Sequence, residues 1–201
     1  MASLGASATS KVVLRTYQVR SQVPSTITVI DAALASCSVQ PDFLPVSSGS
    51  GYKKKVYIAA GLGANNPASD VITEAHELFG GDSSVTFLLS LGTGHPGTIP
   101  VPPDGTVDIH RLMRDMMNDC EQRAQEVERR LGRVGIYFRF SVQQGMQNIH
   151  GDQATDPSWI SSQTEAYLLD QRTSENLDAL LKTFDAPKKH VTLGQLGESV
   201  F

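Results

Sequence analysis

Apolar residues follow one another in this chain at the spacings of strands and helices, most clearly in its middle part. Residues 55–58 (KVYI) form a β-branched and aromatic run that stops at a glycine-bearing turn, Gly61-Leu62-Gly63. After residues 65–67 (NNP), apolar residues recur every three or four positions until Gly80, which predicts a capped helix. Residues 85–91 (VTFLLSL) are almost entirely apolar, as in a central strand covered on both faces. This order predicts a βαβ unit whose strand ends carry functional loops.

The rest of the chain predicts further elements of both kinds. Residues 11–19 and 132–142 read as strands, and shorter helices are predicted at residues 28–37, 160–169 and 175–184. Residues 107–131 carry the longest helical pattern. We interpret the methionines on its apolar face as core residues, a lipid- or peptide-binding groove being the alternative. We therefore expect one domain over residues 11–184, a disordered segment at residues 1–10 and a flexible tail at residues 185–201.

Composition narrows the classes of function. With 201 residues, of which 40% are hydrophobic, the chain can bury a core. Its net charge of −4 gives no electrostatic signal for nucleic acid. Cys37 and Cys120 do not have the spacing of metal ligands, and neither do the histidines, so we expect no metal and no cofactor. The first residues lack the apolar core of a signal peptide and no run reaches transmembrane length, so we expect a cytoplasmic protein.

Candidate chemistry concentrates in two loops. The turn with Gly61 and Gly63 precedes a predicted helix, so its backbone N–H groups suit an anion; the alternative is a tight turn with an asparagine cap. His95 follows a predicted strand within a glycine-rich loop, which makes it the best histidine for a catalytic or ligand role. The alternative is an ordinary turn histidine. A nucleophile elbow, G-x-S-x-G, is absent, and Ser90 stands between two leucines inside a predicted strand.

Two motifs in this stretch resemble those of the patatin-like phospholipases, especially the fungal members. Residues 61–67 (GLGANNP) are similar to the end of the family's D-G-G-L-G-A-N-N-P motif, and residues 90–94 (SLGTG) are similar to a strand end that follows one helix later. Weaker similarities extend the resemblance over most of residues 11–184. The resemblance implies an α/β fold, a partial three-layer α/β/α sandwich with a mostly parallel sheet and C-terminal helices.

The same resemblance implies lipid acyl hydrolysis by a Ser-Asp dyad, in which the aspartate of the D-G-G motif acts as the base. Ala59-Ala60-Gly61 occupies this motif here, so Ala59 stands at the position of the base. The G-x-S-x-G serine and the oxyanion loop belong to a half of the family domain that this chain does not contain. Because a methyl group cannot accept a proton, we expect no catalytic residue and no ester hydrolysis by the family mechanism.

The resemblance, together with the alanine at position 59, therefore implies a patatin-like lipid acyl hydrolase homologue that is linked to lipid metabolism and catalytically inactive as this chain. Lipid or a membrane surface is the expected partner. One alternative is an interaction or regulatory module that takes a protein partner at an open sheet edge. Another is an incomplete fragment of an active lipase. The residues assigned to a substrate or turn scaffold are Gly61, Gly63, Asn65, Asn66 and His95.

Overall fold

Strands and helices are mixed along the chain, as the sequence predicts, but the sheets are small. This computed structural model describes residues 2–4, 11–20, 27–39, 43–94, 108–144, 156–185 and 191–198. The strands are β1 (Ala2–Leu4), β2 (Lys11–Val12), β3 (Val46–Ser48), β4 (Lys55–Ala59), β5 (Ser84–Val85), β6 (Leu88–Leu91), β7 (Tyr137–Phe140) and β8 (Val191–Thr192). The helices are α1 (Val29–Cys37), α2 (Gly61–Ala64), α3 (Ala68–Phe79), α4 (Ile109–Asn118), α5 (Glu121–Leu131), α6 (Pro157–Leu168), α7 (Gln171–Asp185) and α8 (Leu193–Glu198).

The described residues fall into two units. The first unit comprises Met1–Pro67 and Asp108–Asn118, and the second comprises Ala68–Val107 and Asp119–Phe201. The sequence predicts instead a single domain over residues 11–184. The division between the units falls directly after Pro67, within the stretch predicted as a βαβ unit.

The first unit is built on an antiparallel sheet with the strand order β2-β1-β4-β3. Helix α1 packs on β4, and its Ala35 is buried against Tyr57 of that strand. The Thr28 side chain caps α1, because its Oγ1 accepts a hydrogen bond of 3.1 Å from the Asp31 N–H. The helix predicted at residues 28–37 is thus confirmed.

The second unit is mostly helical and contains two small strand pairs. Strands β6 and β7 are parallel, and β5 pairs with β8 in an antiparallel manner. Its core combines residues from α3, α5, α8 and the start of β7. The buried members are Ala68, Ile72, Val127, Leu131, Ile136, Tyr137, Leu193 and Leu196.

The predicted βαβ unit and the mostly parallel sheet are wrong for the described residues. Strand β4 already pairs along both edges, with β1 on one side and β3 on the other. No edge of β4 is left for β6, which pairs with β7 instead. Residues 85–91 do not form a central strand either. Strand β6 covers only Leu88–Leu91, and Leu89 and Leu91 are exposed.

The single long helix predicted at residues 107–131 is also wrong, because the chain forms α4 and α5 there. Asp119 lies between them, and its Oδ1 accepts a hydrogen bond of 2.9 Å from the Glu121 N–H. A side chain that bonds the backbone in this way replaces the helical acceptor and begins a new helix. Periodicity alone did not reveal this restart.

Both segments predicted as unstructured chain ends contain ordered elements. Strand β1 lies between β2 and β4 in the sheet of the first unit. Residues 191–198 form β8 and α8, and Leu193 and Leu196 are buried in the core of the second unit. The prediction of a flexible tail is therefore wrong for residues 191–198, and that of disorder is wrong for residues 2–4. Residues 5–10 and 186–190 lie outside the described residues.

Candidate functional site

The glycine-bearing segment after β4 folds as one helical turn and not as an open loop. Residues Gly61–Ala64 form α2, which includes Gly63, and the Ala64 N–H donates to the Ala60 carbonyl at 2.8 Å. Gly61 does not adopt a left-handed φ, and a Cβ added there would meet no atom within 4 Å. The glycine turn predicted after residue 58 is therefore one turn of helix in the structure. One turn of helix also aligns too few peptide dipoles to make this segment a strong anion site.

Ala59 is the last residue of β4 and is half-buried. Its N–H donates to the Ser38 carbonyl at 3.0 Å, which ties the strand end to the residue that follows α1. The side chain offers a methyl group and no proton acceptor. Asn65 and Asn66 are half-buried, and both interact with other groups of the protein. His95 lies outside the described residues.

A polar cluster in the second unit was not identified from the sequence. It consists of Ser90, Cys120, Glu121 and Arg139, and we call it the Arg139 cluster. The Arg139 guanidinium donates to Glu121 Oε1 at 2.6 Å, to Cys120 Sγ at 3.2 Å and to Ser90 Oγ at 3.0 Å. The one sequence signal for it is an arginine within the aromatic strand YFRF, since a cation there needs a partner.

The ion pair in the Arg139 cluster is largely shielded from solvent, whereas Ser90 and Cys120 are half-buried. The side chains of Arg139 and Glu121 are 12% and 13% exposed. Burial acts to lower the pKa of Arg139, but the hydrogen bond and negative charge of Glu121, with a contribution from Cys120, outweigh burial and raise the pKa. Arg139 is thus a permanent cation that fixes the Ser90 hydroxyl. A serine nucleophile needs instead an acceptor for its proton.

Gly92 lies directly beside this cluster, at the end of β6. Its N–H donates to the Phe140 carbonyl at 2.8 Å, which continues the ladder with β7. A Cβ at Gly92 would lie 2.5 Å from Ser141 Oγ and 2.9 Å from Arg139 Nη2. These separations are shorter than van der Waals contact, so the first glycine of the Gly-Thr-Gly loop is required by packing.

A cleft of about 580 Å³, lined by both polar and apolar groups, is also present in the second unit. It is bounded by the segment after β7 and by α6 and α7, and we call it the α6–α7 cleft. Arg172 and Asp170 are the two charged residues among those lining it. The other polar groups include the amides of Gln143, Gln144 and Gln163 and the hydroxyl of Tyr167. Sequence reasoning missed the cleft because its walls come from three separate elements.

Within the described residues, no group of three or more His, Cys, Asp or Glu side chains is placed to hold a metal ion. No helix among them combines the length and the apolar character needed to cross a bilayer. Comparison of the chain with known protein families, with characterised proteins and with solved structures finds no match. The motifs and geometry of the chain itself therefore carry the functional conclusion.

Proposed function

We propose that this chain is a homologue of the patatin-like lipid acyl hydrolases, linked to lipid metabolism, that does not itself hydrolyse esters. The observation that carries the proposal is Ala59. It ends β4 immediately before the sequence Ala60-Gly61-Leu62-Gly63, where the resemblance places the carboxylate that acts as base. An alanine at this position can neither take the proton of a serine nor orient it.

The surroundings of Ser90 support the absence of a substitute nucleophile in the second motif. The Ser90 hydroxyl is half-buried in β6 and accepts a hydrogen bond from Arg139. A cation that donates to the oxygen occupies one of its lone pairs and accepts no proton. The SLGTG motif therefore acts in this chain as a packing motif, with Gly92 fitted against Arg139 and Ser141.

The proposal includes the partial three-layer α/β/α sandwich of the family. The parallel pair β6–β7 supports it, together with α5 and α7, which both pack on β7. It also includes a cytoplasmic location, because Cys37 and Cys120 are both free thiols, as is usual in a reducing compartment.

A lipid or membrane surface is the partner that we propose, and one face of α4 supports it. Ile109, Met113 and Met116 are spaced as one helical face, and all three side chains are exposed. The interpretation of these methionines as core residues is wrong for Met113 and Met116. Flexible methionine side chains on an exposed helix suit contact with a variable apolar surface.

The proposal is tested by hydrolysis assays on the purified chain. We expect that p-nitrophenyl esters and phospholipid vesicles are turned over no faster than by a heat-denatured control. We also expect no single-site labelling by a fluorophosphonate probe. Hydrolysis that is absent from the denatured sample would overturn the proposal, as would stoichiometric labelling of one serine.

A complementation assay tests the family relationship itself. Ala59→Asp restores the carboxylate, and Ala59→Asn provides a side chain of the same shape without a base. Each variant is mixed with a separately expressed nucleophile half of an active patatin-like enzyme. We expect ester hydrolysis with Ala59→Asp alone; equal activity with both variants, or none with either, would contradict the assignment of Ala59 to the base position.

The alternative function, an interaction or regulatory module, is favoured by a separate observation on β6. Leu89 and Leu91 are 42% and 73% exposed, and among the described strands β6 pairs along one edge only, with β7. An unpaired edge with exposed leucines is a template for a strand from another chain. Size-exclusion chromatography with light scattering tests this function: a concentration-dependent complex that Leu91→Lys abolishes favours it, and a monomer at all concentrations contradicts it.

A further inference from the structure

The α6–α7 cleft lies at a place where α/β proteins often hold ligands. Its first wall, residues 142–144, directly follows the carboxyl-terminal end of β7, a parallel strand. The other walls are the C-terminal half of α6 and the start of α7, with Asp170 between the two helices. Its volume of about 580 Å³ suits a small molecule.

Hydrogen bonds fix the walls of the cleft in place. The Tyr167 hydroxyl of α6 accepts a bond of 3.2 Å from the backbone N–H of Ser141, which joins α6 to the end of β7. Gln143 Nε2 donates to the Ser141 carbonyl at 3.2 Å. Thr173, on the α7 wall, is buried. A cleft with walls held in this way is formed before a ligand arrives.

One of the two charged side chains in the cleft is already hydrogen-bonded, and the other has no such bond within the part of the chain that the structure describes. Asp170 Oδ2 accepts a bond of 3.2 Å from the Thr173 N–H, so this carboxylate already caps the start of α7. Arg172 is exposed, and it makes no hydrogen bond or ion pair with any residue that the structure describes. The cation is therefore the charge left free for a ligand, whereas the helix N-terminus is already satisfied by Asp170.

The remaining polar groups determine what surrounds an anion in this cleft. A guanidinium binds carboxylate and phosphate through two parallel hydrogen bonds. The amides of Gln144 and Gln163 each present a donor and an acceptor, and the Tyr167 hydroxyl adds another polar group. These polar groups stand beside the apolar side chains of Val142 and Ala166. Such a mixed lining suits a polyhydroxy compound, whose hydroxyl groups pair with the amides while its C–H faces contact the apolar side chains.

We propose that the α6–α7 cleft binds a small polyhydroxy compound that carries one anionic group, a phosphate ester or a carboxylate. Arg172 binds the anionic group, and Gln163 and Tyr167 contact the hydroxylated remainder. This binding activity goes beyond the proposed function and does not depend on Ala59 or on ester hydrolysis. Failure of one proposal therefore leaves the other standing.

Isothermal titration calorimetry on the full chain tests the proposal with four probes. Glucose 6-phosphate represents a phosphate ester, gluconate a carboxylate, glucose the neutral compound and inorganic phosphate the anion alone. We expect saturable binding of glucose 6-phosphate or gluconate, and binding at least about tenfold weaker for glucose and for inorganic phosphate. Whichever of the two charged probes binds more tightly identifies the anionic group as a phosphate ester or a carboxylate. Equal affinity for glucose, or no binding of either charged probe up to about 10 mM, would overturn the proposal.

Variants of Arg172 provide the second part of the test. Arg172→Gln should weaken the binding of the charged probe by about tenfold or more, because it removes a charge-assisted pair. Arg172→Lys keeps the charge but loses the planar fork. Its affinity for the charged probe should therefore lie between those of the unmodified chain and of Arg172→Gln. The matched control is Arg123→Gln on α5, since Arg123 is exposed and does not line the cleft. An Arg172→Gln variant that binds as tightly as the Arg123→Gln variant would contradict the assignment of Arg172.

Discussion

The Arg139 guanidinium bonds three side chains at once, and these come from β6, from α5 and from the residue that precedes α5. The raised pKa of Arg139 stabilises the folded state at every pH below the ordinary pKa of an arginine. This contribution is lost only as the pH rises through the raised value, so the charge of Arg139 is constant throughout the neutral range. In the neutral range the cost of removing its partner Glu121 is therefore set by the burial of the Arg139 cation.

Replacement of Glu121 is expected to destabilise the second unit strongly. Glu121→Ala leaves the buried Arg139 cation without its carboxylate, which should lower the free energy of unfolding by about 3 kcal/mol. The matched control is Glu126→Ala on the same helix, because Glu126 pairs with Arg123 and Arg130 at the surface. Exposed pairs contribute about 0.5 kcal/mol, so urea unfolding curves should separate the two variants clearly. Equal losses of unfolding free energy in the two variants would contradict the burial of the Arg139–Glu121 ion pair.

Two tyrosines of the second unit differ in the use of their hydroxyl groups. Tyr137 is part of the core, and its hydroxyl is buried without a hydrogen-bond partner among the described residues. The Tyr167 hydroxyl accepts from the Ser141 N–H, and Ser141 is itself buried. A buried unpaired hydroxyl costs free energy, whereas a paired one stabilises.

The same substitution at both tyrosines should have opposite effects. Tyr137→Phe removes an unpaired hydroxyl and should raise the free energy of unfolding by about 1 kcal/mol. Tyr167→Phe leaves the Ser141 N–H without its acceptor and should lower it by about 1 kcal/mol. Chemical denaturation of the two variants side by side measures both changes. A loss of stability in Tyr137→Phe would show that its hydroxyl has a partner in solution.

The glycines of the two sequence motifs have different roles in their elements. Gly92→Ala places a methyl group 2.5 Å from Ser141 Oγ, at the end of β6, and should cost about 1–3 kcal/mol. Gly61→Ala meets open space in α2, where alanine is the better helix former, and should be neutral or stabilising. Thermal unfolding of the two variants tests this difference. If Gly61→Ala lowered stability as much as Gly92→Ala, this would indicate that another group lies close to Gly61.

Residues 193–196 are an integral part of the second unit. Leu196 is 1% exposed and packs in the same core as α3, α5 and β7. Leu196→Ala should therefore lower the free energy of unfolding by about 3 kcal/mol. Leu169→Ala is the control, because Leu169 is 85% exposed and should change stability by less than about 0.5 kcal/mol. Urea unfolding monitored by circular dichroism compares them, and equal stability of the two variants would mean that the chain end does not pack in the core.

Local chemistry was readable from the sequence where a single residue decides the outcome. Gly80, which the sequence predicts to end a helix, follows α3 with a φ of 83°, and its N–H donates to the His76 carbonyl, as at many helix ends. The absence of a carboxylate at Ala59 is equally a property of the sequence. The candidate site was only partly readable, since the cluster around Arg139 joins residues from positions 90, 120, 121 and 139.

The stretch from residue 55 to residue 94 shows where the sequence by itself reached its limit. The sequence determined that it contains strand, turn, helix and strand, because propensity and capping act over a few residues. Only the tertiary structure decided which strands pair, since β1 and β3 take both edges of β4 and β7 takes an edge of β6. Strand pairing depends on which distant segments compete for an edge, and a short apolar run does not encode its partner. The same holds for Leu193 and Leu196, whose burial follows from the helices that surround them.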